Sequence, residues 1–397
     1  MNFRRRKSVL LAALCIGSAG ALACGHDAVA APASTTTPPD DGADSIDVPE
    51  PGEADLLVAA EPASFTVHTY DGSGESVHPD VYVFSSPWHG RRYWYSATPY
   101  PGGKAEFENP SIFRATMGGW APPRGVANPL ARPEALDYLS DPDLVYDPAA
   151  DALRLYYRET TPVADRILIV TSRDGVNWSA PTTVLEGTRY GLISPAIVRE
   201  EDGSSRMWSV DATGAGCQGR RADVSLRLRR SPDGLKWDAP TPVQLDVPRY
   251  VAWHLDVQYV AAKHEYWTLV AAYPDGTNCS YTAVFFGRSA DGVTWRMSPA
   301  PLLAAGDLAS IRDIVYRSTF HYHATSDEVS VWFSGARNET GHYVYGEAFA
   351  RYALADLLRR VERPFDPGTT TGSSITSDPD PTALGHNPRT GFVNAFP

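Results

Sequence analysis

Five short segments of this sequence set polar, chemically competent side chains at the head of apolar runs. They are His78-Pro79-Asp80, Asp141-Pro142-Asp143, Ser194-Pro195-Ala196, His254-Leu255-Asp256 and the run opened by Arg317. Each stands where β-branched and aromatic residues begin to alternate with polar ones, the mark of a strand start. If those strands run in one direction around a common axis, their first residues converge on one face. Converging carboxyls repel, so one of them keeps its proton more tightly than an isolated acid does. A charged carboxylate beside a protonated one is the division of labour that cleavage of a glycosidic bond requires. His78 and His254 suit hydrogen bonds to sugar hydroxyls, or a water or cation in the channel. Arg317 suits a clamp on an acidic substrate, or an ion pair with Asp141 or Asp143. Trp88, Tyr100 and Trp253 lie near the same strand starts and suit stacking on sugar rings.

The elements that position these residues are legible in a repeat. Ser172-Arg-Asp174-Gly175-Val-Asn-Trp178 recurs as Ser231-Pro-Asp233-Gly234-Leu-Lys-Trp237 and Ser289-Ala-Asp291-Gly292-Val-Thr-Trp295, with a degenerate copy ending at Trp120. The tryptophans fall 58, 59 and 58 residues apart. Asp-Gly between alternating runs predicts a two-residue hairpin, because a type I′ turn needs positive φ. Each period holds four short apolar runs, for example Leu144–Tyr146, Leu153–Tyr157, Ile167–Thr171 and Val184-Leu185. Period four ends in Leu302-Leu303. Four strands in about 60 residues is one propeller blade. We expect an all-β, five-bladed β-propeller with four-stranded blades over residues 63–362. The last blade lacks an outer strand of its own, and Ala63–Tyr70 alternates suitably to supply it and remove an open edge.

Charge and cysteine usage bound the setting. The 397 residues carry a formal net charge of −12, which excludes a basic nucleic-acid-binding role. Arg4, Arg5, Arg6 and Lys7 followed by an apolar run to Ala23 read as a secretory signal. Residues 24–62 read as a disordered acidic tether and 363–397 as a low-complexity tail. Two processing sites compete. Ala21-Leu22-Ala23-Cys24 fits a lipidated cysteine and hence a membrane tie through an N-terminal lipid anchor, while Ala28-Val29-Ala30 fits cleavage and free secretion. Cys217 and Cys279, about one repeat apart, are expected to pair, which leaves Cys24 over once the signal and its Cys15 are removed.

The Asp-Gly-Trp pattern resembles the Asp boxes of sialidases, with Gly one residue sooner after Asp. Blade number and acidic strand starts resemble the five-bladed glycoside hydrolases of families 43 and 32. That resemblance implies an Asp base on an early blade, for which His78-Pro79-Asp80 nominates Asp80. It implies a pKa-modulating Asp, for which Asp143 and Asp256 are the candidates, and a Glu acid, for which Glu108 in Glu108-Asn109-Pro110-Ser111 is nominated. His78, Asp141, His254, Arg317, Trp88 and Trp253 are the expected substrate contacts. No cofactor is expected; a channel cation such as calcium has no motif behind it. The function so implied is an exported glycoside hydrolase on an extracellular polysaccharide or oligosaccharide. A lectin-like propeller that only binds carbohydrate is the alternative, and a protein-interaction scaffold a third.

Overall fold

The computed structural model describes residues 62–116, 119–134 and 137–362. The expectations for the leader, for Cys24 and the tether up to Glu61, and for the tail from residue 363 concern residues outside these. The described chain holds twenty strands, five single-turn 3-10 helices and one short α-helix. Strands β2 (Ser76–Trp88), β3 (Arg91–Pro99), β4 (Ser111–Thr116) and β5 (Gly119–Ala121) form one antiparallel unit. The next three units are separate four-stranded sheets. One holds β6 (Tyr138–Asp147), β7 (Ala152–Thr160), β8 (Ala164–Ser172) and β9 (Thr182–Thr188). The second holds β10 (Ile193–Arg199), β11 (Ser205–Asp211), β12 (Ser225–Ser231) and β13 (Thr241–Val243). The third holds β14 (Tyr250–Val260), β15 (Glu265–Pro274), β16 (Ala283–Ser289) and β17 (Arg296–Met297).

The last unit takes β18 (Ile314–His323), β19 (Glu328–Glu339) and β20 (His342–Ala353) from the end of the chain and β1 (Ala63–Val67) from its start. β1 pairs antiparallel with β20, Ala63 opposite Phe349, and parallel with β5, Thr66 opposite Gly119. It thus supplies the missing outer strand and joins the first unit to the last, which leaves neither β20 nor β5 an open edge there. The inner strands β2, β6, β10, β14 and β18 each lie against the next, and β18 lies against β2, so the arrangement is propeller-like. The helix α1 (Leu354–Val361) covers the fourth and fifth units with Leu354, Leu357 and Val361.

Alternation explains the local choices. In β12, Leu226 and Leu228 are buried while Arg227 and Arg229, on the other face, are only half-buried. The central strands are buried on both faces and read as near-continuous apolar runs, as Tyr-Trp-Thr-Leu-Val-Ala-Ala-Tyr does in β15. The fourth outer strand differs from expectation. It is Arg296–Met297, and Leu303 makes only an isolated bridge to Val284.

The Asp-Gly-Trp segments are not two-residue hairpins. Nine residues, 173–181, separate β8 from β9, and side chains shape the turn instead. Ser172 Oγ accepts the Gly175 N–H at 2.8 Å, and Asp174 Oδ1 accepts those of Val176 and Asn177 at 2.8 and 2.7 Å. The other two copies repeat this pattern. The glycine, at φ 72°, 77° and 73°, rests on an aromatic residue of the preceding unit. Trp94 lies under Gly175, the Tyr156 hydroxyl donates to the Gly234 carbonyl, and Trp208 Nε1 donates to that of Gly292. The repeat therefore bonds each sheet to the one before it.

Candidate active site

Every inner strand carries a register shift near its start: between Val77 and Asp80, Ser140 and Asp143, Ile193 and Ala196, Ala252 and His254, and Val315 and Ser318. At three of them a non-glycine residue takes a left-handed backbone, His78 at φ 58°, Asp141 at 53° and Ser194 at 53°. Such conformations are costly and persist where surrounding structure fixes them, as at functional sites. The bulges bring together residues that a regular pleat would set on opposite faces.

Asp141 is at the centre. Its Oδ1 lies 3.5 Å from His78 Nε2 and 3.3 Å from His254 Nδ1. The two imidazole rings are 5.2 Å apart, with the Tyr316 ring 4.5 Å from His254 and 5.4 Å from His78. Asp141 Oδ2 receives Arg158 Nε at 3.0 Å and the Ser194 N–H at 3.2 Å. All of these side chains are buried. Burial pushes the Asp141 carboxyl up, but Arg158 and the two histidines override it and hold it well below the usual carboxylate range. Burial lowers both imidazoles, so at neutral pH they are uncharged. Thr98 Oγ1 donates to the Val77 carbonyl and sits 3.1 Å from His78 Nδ1. The Asp141 N–H also points to His78 Nδ1, at 3.5 Å, so Thr98 and the Asp141 backbone together orient the ring while its Nε2 faces Asp141 Oδ1. Among the described residues, Asp141 Oδ1, His78 Nε2 and both His254 nitrogens make no hydrogen bond. The three residues offer ligand atoms within 4.8 Å of one another and could hold a metal ion.

A second group lies two residues further along the same strands. Asp80, Asp143 and Asp256 also offer carboxylate oxygens within 4.8 Å of one another. Each is tied to the neighbouring inner strand. The Leu144 N–H donates to Asp80 Oδ2 at 2.5 Å, that of Ile197 to Asp143 Oδ2 at 3.1 Å, and Thr319 Oγ1 to Asp256 Oδ2 at 3.0 Å. Burial, then the other acids, raises Asp80 to about 7 and puts Asp143 well above the ordinary range; burial raises Asp256. Arg317 is fully buried and opposes these shifts, and its Nη1 lies 4.0 Å from Asp141 Oδ1.

The nominated residues thus divide. His78, Asp141 and His254 form the upper group, Asp80, Asp143 and Asp256 the lower, and Arg317 adjoins both. Glu108 is buried in the loop before β4 rather than at its first residue, close enough to Asp141 and Arg158 for both to act on it. Burial first, then Asp141, raises its carboxyl well above the ordinary range. The hydroxyls of Tyr100, Tyr138, Tyr316 and Tyr345 all feel Glu108. Trp253 is 3% exposed, its ring enclosed beside Tyr316 and Tyr273, so it presents no stacking surface. Trp88 ends β2, at the opposite end from His78, and packs with Phe84 and Trp94. Cys217 and Cys279 form a disulfide between the β11–β12 and β15–β16 loops. Sequence reasoning missed Arg158 and Tyr316. The signal for Arg158 was an arginine in a second strand buried on both faces, which demands a carboxylate partner.

The fold and this buried polar centre define a propeller-like scaffold with a polar cluster where its inner strands begin. No family model matches the chain. It is 28% identical over 367 residues, 76% of its length, to the A type blood N-acetyl-alpha-D-galactosamine deacetylase of Flavonifractor plautii, and it spans 47% of that protein, about half. The solved N-acetylgalactosamine deacetylase from F. plautii, in complex with blood group B trisaccharide, superposes with a TM-score of 0.70 at 25% identity, covering 76% of this chain and 97% of that one. The catalytic domain of a Coprinopsis cinerea GH62 alpha-L-arabinofuranosidase gives 0.52 at 14% identity over 74% and 97%. A thermostable family-43 glycoside hydrolase gives 0.50 at 11% over 69% and 88%; both are likenesses of fold. These relationships support an enzyme acting on sugars.

Proposed function

We propose that the chain is an exported five-bladed propeller hydrolase that removes the acetyl group from an N-acetylated amino sugar of an oligosaccharide, with a divalent cation held by His78, Asp141 and His254. The observation that carries this reading is the set of three buried atoms, His78 Nε2, Asp141 Oδ1 and His254 Nδ1, that face one another and make no hydrogen bond among the described residues. Separations of 3.3 and 3.5 Å are those of atoms that each lie about 2.0–2.2 Å from a shared ion. Two neutral imidazoles and an ionised carboxylate suit a first-row transition metal. Such an ion, when bound, polarises a carbonyl oxygen and makes water more acidic.

The chain's own residues do the rest. Arg158 and the Ser194 N–H hold one oxygen of Asp141 and so aim the other, and Thr98 with the Asp141 backbone N–H orients the ring of His78. Burial biases Glu108 toward its protonated form, so it can give a proton to the departing amine nitrogen as its bond to the acetyl carbon breaks and be restored by the proton the attacking water loses. The oxygen of the attacking water ends in acetate. The surrounding tyrosines offer hydroxyls to a sugar and limit the water that enters. The Flavonifractor relative, named as a deacetylase of an N-acetylated hexosamine, supports the same reaction class, and the disulfide fits an oxidising compartment. We place the chain outside the cell, lipid-anchored through Cys24 or free.

Glycosidic cleavage by the lower acids is the second reading, supported by the glycoside hydrolase folds. Against it, Asp80 and Asp143 each spend an oxygen on a backbone N–H of the neighbouring inner strand, two residues further along than the upper group. A panel of N-acetylated oligosaccharides, read for both free acetate and new reducing ends, decides. Acetate without reducing ends is expected. Reducing ends without acetate would overturn the proposal in favour of glycosidic cleavage, and binding with neither product would favour a lectin.

A further inference from the structure

The connection from β9 to β10, residues 189–192, lies at the end of the sheets where the inner strands begin. It is anchored beside the candidate site. The Leu192 N–H donates to Asp165 Oδ2 at 3.2 Å, and the same oxygen lies 3.8 Å from Arg158 Nη1. Tyr190, in this connection, has a left-handed backbone at φ 63°. An aromatic residue there is strained and is held by its surroundings. Its carbonyl accepts the Ala212 N–H at 2.8 Å. Its ring lies against Gly216, where an added Cβ would come within 3.1 Å of a ring carbon. The next residue is Cys217, bonded to Cys279. The Arg189 guanidinium lies over this fixed ring, 4.9 Å from its centroid.

Arg189 differs from its neighbours. Arg166 pairs with Glu186, Arg220 with Asp275 and Arg221 with Asp246. Arg189 has no carboxylate partner among the described residues, and its Nε is buried without an acceptor. A partly buried guanidinium, pre-oriented on an aromatic ring and without a carboxylate partner among the described residues, suits an oxyanion that arrives from outside.

We infer that Arg189, stacked on Tyr190, binds an anionic oxygen group, a uronate carboxylate or a sulfate ester, on the sugar next to the reacting one. This rests on the proposed reading of the site as one for amino-sugar oligosaccharides. The test is equilibrium calorimetry on the full chain with product-type disaccharides, which are not consumed: an N-deacetylated hexosaminyl-uronate, its carboxyl-reduced neutral counterpart, and that neutral disaccharide carrying one sulfate ester. Wild type should bind at least one acidic disaccharide about tenfold tighter than the neutral one, and the gap should narrow between ~50 and ~500 mM salt. Arg189→Ala should bring the gap within about twofold while leaving neutral binding unchanged, and Arg189→Lys should keep part of it. A sulfate preference, a carboxylate preference or both would identify the source of the charge. Equal binding of acidic and neutral ligands, or a preference that survives Arg189→Ala, overturns the inference and leaves the reading of the site intact. Binding of none of the three overturns both.

Discussion

At the residue scale, position along the inner strand separates two kinds of aspartate. Asp141 heads its strand, keeps its charge through Arg158 and turns one oxygen toward two neutral histidines. Asp80 sits deeper and accepts a backbone N–H from the next sheet. Asp141→Asn should lower acetate release at least about a hundredfold, because it removes both the charge and an aimed oxygen. Asp80→Asn, which keeps an acceptor for Leu144, should cost less than about tenfold under the same assay. A reversed order in initial rates would assign the chemistry to the lower group. Glu347 makes a separate residue-scale case. It is buried at the junction of the first and last units, receives the Tyr95 hydroxyl, and is raised by burial to about 8. The folded state therefore holds a proton that the unfolded chain gives up near pH 4.5, so stability falls as pH rises from there through about 8. Glu347→Gln should raise the Tm at pH 9 by several degrees, roughly 3–6 °C, and leave it nearly unchanged at pH 5. Equal effects at both pH values in thermal melts would show that Glu347 is not protonated in the fold.

At the element scale, the unit of stability is the contact between one sheet's Asp-Gly-Trp turn and the aromatic side chain of the sheet before it. A Cβ on Gly175 would fall 1.9 Å from the Trp94 ring, on a backbone at φ 72°. Gly203 has a similar backbone, φ 85°, but its nearest neighbour would be 3.6 Å away. Gly175→Ala should therefore cost about 3 kcal/mol or more and Gly203→Ala only about 1–2, judged by denaturant melts. Equal costs would mean that the turn's conformation, not its docking, is what matters. This scale is also where the sequence was most legible. The regular tryptophan spacing marked the sheets, and the alternation in Ala63–Tyr70 marked the strand that closes the last one. The form of the turn was not legible. Asp-Gly has a strong hairpin meaning, yet here Ser172 and Asp174 supply the hydrogen bonds that a type I′ turn would make. Leu302-Leu303 misled for a related reason: an apolar pair packs under α1 as readily as it pairs in a sheet.

At the scale of the whole molecule, the site exists only because separate sheets meet at one axis. His78, Asp141 and His254 belong to three different sheets, so no local spacing could present them as a ligand set, although each was visible as a strand start. The bulges that aim them leave no sequence mark, since His78, Asp141 and Ser194 adopt a backbone that glycine would ordinarily announce. Glu108 was legible as an acid on the same face, whereas Trp88 could not be told from a platform until β2 placed it at the far end. The central claim, that these three sheets together hold a divalent cation, is tested by the metal content of the purified full chain after exchange into metal-free buffer. The account predicts about one transition-metal ion per wild-type chain and less than about a tenth of that in His254→Ala at unchanged folding. Equal metal content in the two proteins, or none in wild type after incubation with zinc, manganese or cobalt, would contradict it.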